Sequence, residues 1–307
     1  MLAVKSSWYV VLISSALACT GSPTHGGEPE PTPTGTILVG TPNGPEAGTY
    51  LVDIVTGSVT TVDAGSPPLS VAWQGGYSKA RDVIYGTSVS APLDILTLPL
   101  GGGTPSTLLA IPASASPGAY DISVDGQRLA IQIAASTVQL WSVDLGTGTW
   151  TRHRDQVAGI DTIPLSRLRW SPDGHHLFAL IDLFPVRSEL VRIDLQTDEF
   201  QVISPATPVR IVTSVDVSPD GRTVAHGDGM AHIIFRNPDG DPLPGFPEIP
   251  GTVSRPTFSP DGKFIAFQEF DPEQDYRISI ILMRLSDGKR WPLKVNAEFE
   301  VWLSDWI

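Results

Sequence analysis

The tetrapeptide Ser-Pro-Asp-Gly occurs three times in this chain, and each copy lies between two short stretches rich in apolar and β-branched residues. The copies are residues 171–174, 218–221 and 259–262, and they start 47 and 41 residues apart. In such a turn Pro fixes φ, Asp can bond the neighbouring backbone, and Gly accepts a positive φ. A repeat of this length is typical of four-stranded units that stack into a closed ring. The tetrapeptides therefore predict a β-propeller.

A second set of turns has nearly the same period. Each carries a small or acidic residue, at Gly57, Gly103, Gly148, Asp198, Gly240 and Gly288. Fainter copies of the first turn lie at residues 123–126 and, we expect, at residues 74–76. Residues 36–62 supply only three strands, whereas the last apolar strand, 300–306, stands alone. We predict an all-β, six-bladed propeller with four antiparallel strands per blade, in which the C-terminal strand completes the N-terminal blade.

These repeats resemble the TolB-like and WD-like β-propeller repeat family. Its pattern is an apolar strand, then Ser-Pro-Asp-Gly, then a strand such as Phe264-Ile265-Ala266-Phe267, and the resemblance covers residues 36–307. The resemblance is specific for the fold. It is poor evidence for function, because propellers host binding, scaffolding and catalysis alike.

Composition and charge limit the classes of partner. The chain is 41% hydrophobic and only 17% charged, with 29 Gly and 28 Pro, which suits stacked sheets joined by many turns. Its formal net charge of −13 opposes binding to nucleic acid and to anionic membrane surfaces. We therefore expect no nucleic acid partner. The further expectations are an envelope protein as the partner and a monomeric chain.

The N-terminal residues predict export. Lys5 precedes an apolar stretch at residues 8–18, which is shorter than the ~20 residues of a membrane span but suits the core of a signal peptide. Cys19 is the only cysteine, and its position resembles the lipidated cysteine of a bacterial lipobox. That family usually has Leu three positions earlier, where this chain has Ala16.

Residues 16–18 also fit an ordinary A-x-A cleavage site, so secretion without an anchor stays open. The preferred division of the chain is a signal peptide at 1–18, a lipidated Cys19 with a disordered tether at 19–35, and the propeller at 36–307. The expected location is the bacterial envelope, with the protein facing the periplasm or the cell surface and attached to the membrane by its lipid.

Antiparallel topology separates the connections by type. The stereotyped turns between first and second strands and between third and fourth strands emerge at one end of the ring, and the connections of unequal length emerge at the other. Because loops on a rigid scaffold usually carry function, we expect partner binding at the second end. The candidate residues are Phe184, Arg187, Arg210, Asp271 and Tyr276.

Aligning the innermost strands places charged residues beside the central channel. They lie one or three positions before Trp73, Ile122, Trp170, Val217, Phe258 and Leu303, and they are Asp121, Arg167, Arg169, Asp216, Arg255 and Glu300. One interpretation is ion pairing between blades that satisfies buried charges. The other is a polar channel floor that binds a carboxylate, a sugar or a metal ion.

The sequence contains no recognisable catalytic or metal-binding motif. The histidines lack metal-ligand spacing, and no Gly-x-Ser-x-Gly turn occurs. We therefore expect no cofactor, and we favour a protein-interaction or scaffold module of the cell envelope over an enzyme. The alternatives are a propeller enzyme of the lactonase or polysaccharide-lyase type and a non-catalytic carbohydrate-binding propeller. The latter needs an aromatic platform, whereas Trp73, Trp141, Trp150 and Trp170 fit core positions better.

Overall fold

The regular elements of the computed structural model are all β-strands in the part of the chain that it describes. That part comprises residues 31–41, 48–62, 69–71, 75–88, 93–134, 138–153, 165–183, 187–205, 212, 214–228, 232–246, 248–271, 277–293 and 302–307. Residues Pro33–Ile307 form one compact unit. No helix long and apolar enough to cross a membrane occurs among these described residues.

The strands form six antiparallel sheets, here numbered as blades 1 to 6. Blade 1 contains β25 (Trp302–Trp306), β1 (Thr36–Thr41), β2 (Gly48–Asp53) and β3 (Val59–Thr61). In blade 2, β4 (Leu69–Ser70) and β5 (Gly76–Ser78) both pair with β6 (Val83–Ser88), followed by β7 (Ile95–Pro99) and β8 (Ser106–Leu109). Blade 3 contains β9 (Ser116–Ile122), β10 (Arg128–Ala134), β11 (Val138–Asp144) and β12 (Trp150–Arg152).

The remaining blades have the same order. Blade 4 contains β13 (Leu165–Trp170), β14 (His176–Leu183), β15 (Arg187–Asp194) and β16 (Phe200–Ser204). Blade 5 contains β17 (Ser214–Val217), β18 (Val224–Gly227), β19 (His232–Arg236) and β20 (Ile249–Pro250). Blade 6 contains β21 (Val253–Phe258), β22 (Phe264–Asp271), β23 (Arg277–Arg284) and β24 (Arg290–Pro292). The predicted six blades are confirmed.

The Ser-Pro-Asp-Gly turns owe their shape to side-chain hydrogen bonds. In the second copy the Ser218 hydroxyl donates to the Asp220 carboxylate at 2.6 Å, and that carboxylate accepts the backbone N–H of Arg222 at 3.0 Å. Gly221 has φ +72°. The copy at 123–126 repeats this network without proline, since Ser123 donates to Asp125 at 2.6 Å. Ser, Asp and Gly thus define the turn, and Pro is dispensable.

The prediction of a turn at residues 74–76 is wrong. Gly76 begins β5, and the turn that follows this strand lies at residues 79–82, with Asp82 at φ +53°. Gly75 directly precedes β5 and lies close to β6: a Cβ there would lie 2.4 Å from the carbonyl oxygen of Tyr85. These glycines therefore permit close packing of the backbone rather than a reversal of the chain.

Each blade packs against the next through its own apolar cluster. Six such clusters occur among the described residues, one for each pair of adjacent blades. Successive residues of a strand face opposite sides, so Leu177 and Ala179 pack toward blade 3 while Phe178 and Leu180 pack toward blade 5. The central strands are apolar almost throughout because both of their faces are buried.

The C-terminal strand closes the ring. β25 pairs antiparallel with β1, with Trp306 opposite Ile37 and Leu303 opposite Val39. The Trp306 indole N–H donates to the carbonyl oxygen of Thr34 at 3.2 Å, and the ring lies 6.2 Å from that of Phe264 in blade 6. One strand therefore completes the sheet of blade 1 and also fills the space between blades 6 and 1.

Candidate functional site

Three aspartates join alternate pairs of blades around the centre of the ring. Each is the last residue but one of an innermost strand, and its carboxylate accepts a backbone N–H from the next blade. Asp305 accepts from Tyr77 at 2.9 Å, Asp121 from Trp170 at 2.9 Å, and Asp216 from Phe258 at 2.8 Å. The pairs joined are blades 1 and 2, 3 and 4, and 5 and 6.

Arg169 of blade 4 lies among these carboxylates. Its Nε is 3.2 Å from Asp216 Oδ1, its Nη1 is 3.4 Å from Asp121 Oδ1, and its Nη2 is 3.5 Å from the carbonyl oxygen of Ser304. These partners belong to blades 5, 3 and 1, so the guanidinium is near the axis of the ring. The Tyr85 hydroxyl adds a hydrogen bond to Asp121 Oδ1 at 2.5 Å.

The cluster shifts the titration of its members. Burial raises the pKa of Asp216 to about 6, although Arg169 acts in the opposite direction. Burial also raises the pKa of Asp121 and of Asp305. For Arg169, burial lowers the pKa, but Asp121 and Asp216 outweigh it and raise the pKa above its usual value. Arg169 is therefore the cation that counteracts burial and lowers the pKa of all three carboxylates.

Two further arginines lie near the same axis. Arg167 precedes Arg169 by two residues on β13, and Arg255 occupies a bulge of β21 with φ +53°. The Arg255 side chain donates to the carbonyl oxygen of Leu303 at 3.1 Å and lies 4.5 Å over the ring of Trp302. Burial, followed by repulsion from Arg169, lowers the pKa of Arg167 to about 10.

The structure brings together five of the six residues predicted for the channel. Glu300 lies outside the described residues, and the carboxylate that blade 1 contributes is Asp305. By its contact with Tyr77, Asp305 is equivalent to Asp121 and Asp216. The equivalent apolar residue of blade 1 is thus Trp306, three positions after the Leu303 used in the alignment. The sequence signal that could have identified Asp305 is a carboxylate directly before the last residue of an innermost strand.

The residues proposed for partner binding are mostly outside the described chain, as is Cys19. Phe184, Arg210 and Tyr276 are among these. The backbone of Arg187 begins β15 and that of Asp271 ends β22. Both positions are at the end of the ring opposite the Ser-Pro-Asp-Gly turns, as expected.

A Ser–His–Asp arrangement that the sequence did not reveal lies between blades 3 and 4. His153 is 2.7 Å from Ser142 Oγ through Nε2 and 2.8 Å from Asp198 Oδ1 through Nδ1. The imidazole is buried, with 4% of its side chain exposed, so a substrate has little access to the base. We interpret the arrangement as a hydrogen-bonded link between neighbouring blades.

The end of the ring that carries the Ser-Pro-Asp-Gly turns also has a cavity. It has a volume of about 380 Å³ and lies between blades 5 and 6, beside Asp220, Phe246, Phe258 and Leu285. The Asp220 carboxylate there is used within its own turn. No group of three or more His, Cys, Asp or Glu that could hold a metal ion occurs in the described part of the chain.

The expectation that four tryptophans occupy core positions needs correction. Trp170 is buried, and Trp73 is outside the described residues, but Trp150 is 37% exposed. Trp150 meets Trp141 edge to face, with ring centroids 5.8 Å apart and an interplanar angle of 81°. Trp150 is exposed because it lies on the short outermost strand β12, which has no strand beyond it.

Comparison with known proteins supports the fold alone. No family model and no curated protein matches the sequence. Among solved structures, TolB from Acinetobacter baumannii superposes with a TM-score of 0.67 at 18% identity, over 88% of this chain and 65% of that one. The fold is that of the TolB-like β-propellers. The present chain therefore spans about two thirds of the length of that TolB.

Two other structures have the same fold. A putative TolB from Agrobacterium tumefaciens has a TM-score of 0.58 and 16% identity, over 85% of this chain and 88% of that one. An oligogalacturonate lyase in complex with manganese has a TM-score of 0.58 and 15% identity, over 80% of this chain and 70% of that one. Because an enzyme is among these neighbours, the fold does not decide between binding and catalysis.

Proposed function

We propose that this protein is an exported, membrane-tethered propeller that binds another protein of the cell envelope. The main support is the contrast between the two ends of the ring. At one end most connections are short turns of repeated types, with the longer connection 237–248 of blade 5 as an exception, whereas the other end is built from connections of unequal length on a rigid, closed scaffold. Such a surface suits recognition of a specific partner. The structural similarity to TolB is consistent with this role, but it is evidence for the fold only.

The proposal locates partner binding at Phe184, Arg187, Arg210, Asp271 and Tyr276. Tyrosine and arginine are frequent energetic centres of protein interfaces, where truncation costs about 2 kcal/mol or more. We therefore expect Arg210→Ala and Tyr276→Ala each to weaken capture of the partner about thirtyfold. Capture from envelope extracts by the purified full-length chain, followed by titration of the recovered partner, measures this loss.

A matched control is Asp220→Ala, at the end of the ring with stereotyped turns. It removes the carboxylate that accepts from Ser218 and from the Arg222 backbone, so it should cost about 1 kcal/mol of stability and leave capture unchanged. Equal loss of capture by the control and the loop variants at equal folded fractions would contradict the proposal. A tightly held metal with activity toward lactones or polysaccharides would instead support the enzyme alternative.

Attachment through Cys19 is a separate part of the proposal. Lipidation at this residue would hold the chain in the membrane fraction, since acylation anchors proteins through buried methylene groups. We expect Cys19→Ala to move most of the protein into the soluble exported fraction, measured by fractionation and by the intact mass. Cys19→Ser serves as a second variant that also lacks the thiol. Unchanged membrane association in both variants would show that the lipid anchor is wrong.

A further inference from the structure

The channel changes the sign of its charge along its length. The three aspartates and Arg169 form one level, close to the Ser-Pro-Asp-Gly turns. Arg167 lies two residues earlier on the same strand, about 7 Å nearer the opposite end of the ring at the usual rise of an extended chain. Arg255 precedes Phe258 by the same three positions that separate Arg167 from Trp170. Two cations thus lie between the aspartates and the loops of unequal length.

Arg255 is held in place by several contacts. Its backbone N–H donates to the Ser214 hydroxyl at 2.9 Å, and its guanidinium bonds the carbonyl oxygen of Leu303 and covers the ring of Trp302. Its positive φ is uncommon for a residue with a side chain, and such conformations concentrate at functional sites. The contacts and the bulge fix the position of this cation.

Arg167 has a different environment. Within the described residues its guanidinium makes no hydrogen bond and no ion pair, although it offers five N–H donors. Burial lowers the pKa of Arg167 and the charge of Arg169 lowers it further, while Tyr120 acts in the opposite direction. Burial, followed by repulsion from Arg167 and Arg169, likewise lowers the pKa of Arg255. The described carboxylates of the channel already bond to Arg169, Tyr85 or the backbone. The described part of the chain therefore supplies no anion for this guanidinium.

We propose that Arg167, with Arg255 beside it, binds the carboxylate of a ligand that enters the channel from the end with the unequal loops. A planar carboxylate matches the fork of N–H groups of an arginine. The neighbouring level of the channel, nearer the Ser-Pro-Asp-Gly turns, holds three aspartates and one arginine. Its negative charge would repel a doubly charged ligand, which favours a singly charged carboxylate over a phosphate. The ligand is a free small acid or the free C-terminus of a polypeptide. The proposal goes beyond the protein-interaction role and does not depend on it.

The test uses the full-length chain and measures its melting temperature at constant ionic strength. Acetate should raise the melting temperature along a saturable curve, and chloride and phosphate should raise it less. Arg167→Gln should weaken the response to acetate at least about tenfold, because a charge-assisted hydrogen bond is lost. Arg222→Gln is the matched control: Arg222 is exposed at the other end of the ring, so this variant should respond like the wild type.

Two peptides of identical sequence, one with a free C-terminus and one amidated, identify the source of the carboxylate. If the free peptide acts at lower concentration than acetate and the amidated one has no effect, the ligand is a chain end. If acetate acts as strongly as the free peptide, the ligand is a small acid. Both results support the site, and neither bears on the capture of an envelope protein by the loops.

The protein without ligand provides an independent check. Arg167→Gln removes one of three neighbouring cations, so its melting temperature should equal or exceed that of the wild type. The contrary possibility is an internal partner, for which Glu300 is the candidate. Lower melting temperatures in both Arg167→Gln and Glu300→Gln would overturn the proposal. So would an acetate response no larger than that to chloride or phosphate, or one that Arg167→Gln leaves unchanged.

Discussion

A chain that lacks residues 302–307 will not form a stable propeller. These residues contain the strand β25, which supplies the fourth strand of blade 1 and buries Leu303 and Trp306 at 1% and 4% exposure. Loss of a single buried Trp side chain costs about 3–5 kcal/mol, and whole domains are stable by only about 5–15 kcal/mol. The truncation also exposes the edge of β1 to pairing with other chains. We expect an unfolded or aggregated product by circular dichroism and size-exclusion chromatography.

The contribution of β25 to stability can also be measured on a variant that still folds. Trp306→Ala should lower the free energy of unfolding by about 3–5 kcal/mol, from urea titration. Trp150→Ala is the matched control, because Trp150 is 37% exposed on the outermost strand of blade 3, and it should cost about 1 kcal/mol. A truncated chain with the urea midpoint of the wild type would show that β25 does not close the ring.

Arg169→Met should destabilise the protein by about 3–5 kcal/mol at pH 7.5, since it leaves buried carboxylates without their counter-ion. The difference in the free energy of unfolding between this variant and the wild type should be smaller at pH 5. Burial already raises the pKa of Asp216 to about 6 in the presence of Arg169, and without Arg169 the pKa of each aspartate rises further. A raised folded-state pKa gives stability that is fully present below the unfolded pKa of about 3.9 and is lost as pH rises through the folded pKa.

Urea titration at both pH values measures this difference. Arg222→Met is the control, because it removes the same charge from an exposed position, and its effect should be within about 0.5 kcal/mol at either pH. A deficit for Arg169→Met that is independent of pH, or no greater than that of the control, would contradict the role of Arg169 as the shared counter-ion of the three aspartates.

The fold could be predicted because its repeated turns are stabilised by hydrogen bonds among their own residues. The Ser, Asp and Gly of each copy bond one another within a few residues, so the sequence alone specifies them. The predicted turn failed in blade 2, where residues 79–82 have neither Pro nor Gly. The alignment of blade 1 was wrong because Leu303 and Trp306 are both buried apolar residues of β25, and either could be aligned with Trp170.

The candidate site was predicted less completely, because its contacts join residues one blade apart. Asp121 and Trp170 are separated by 49 residues, Arg169 and Asp216 by 47, and His153 and Asp198 by 45. A composition or motif search does not detect such pairs. Comparison of polar residues separated by one repeat would detect them, since the closed ring places equivalent positions of successive blades next to one another.

The alternation of the three Asp–amide contacts has a consequence for motion. They join blades 1 and 2, 3 and 4, and 5 and 6, while the equivalent residues of blades 2, 4 and 6 are Gly76, Arg169 and Thr257, which have no carboxylate. By these carboxylate–amide contacts the ring consists of three double blades, and the side chains of Tyr85, Arg169 and Arg255 join each double blade to the next. Transient separation, observed as amide hydrogen exchange, should begin between the double blades.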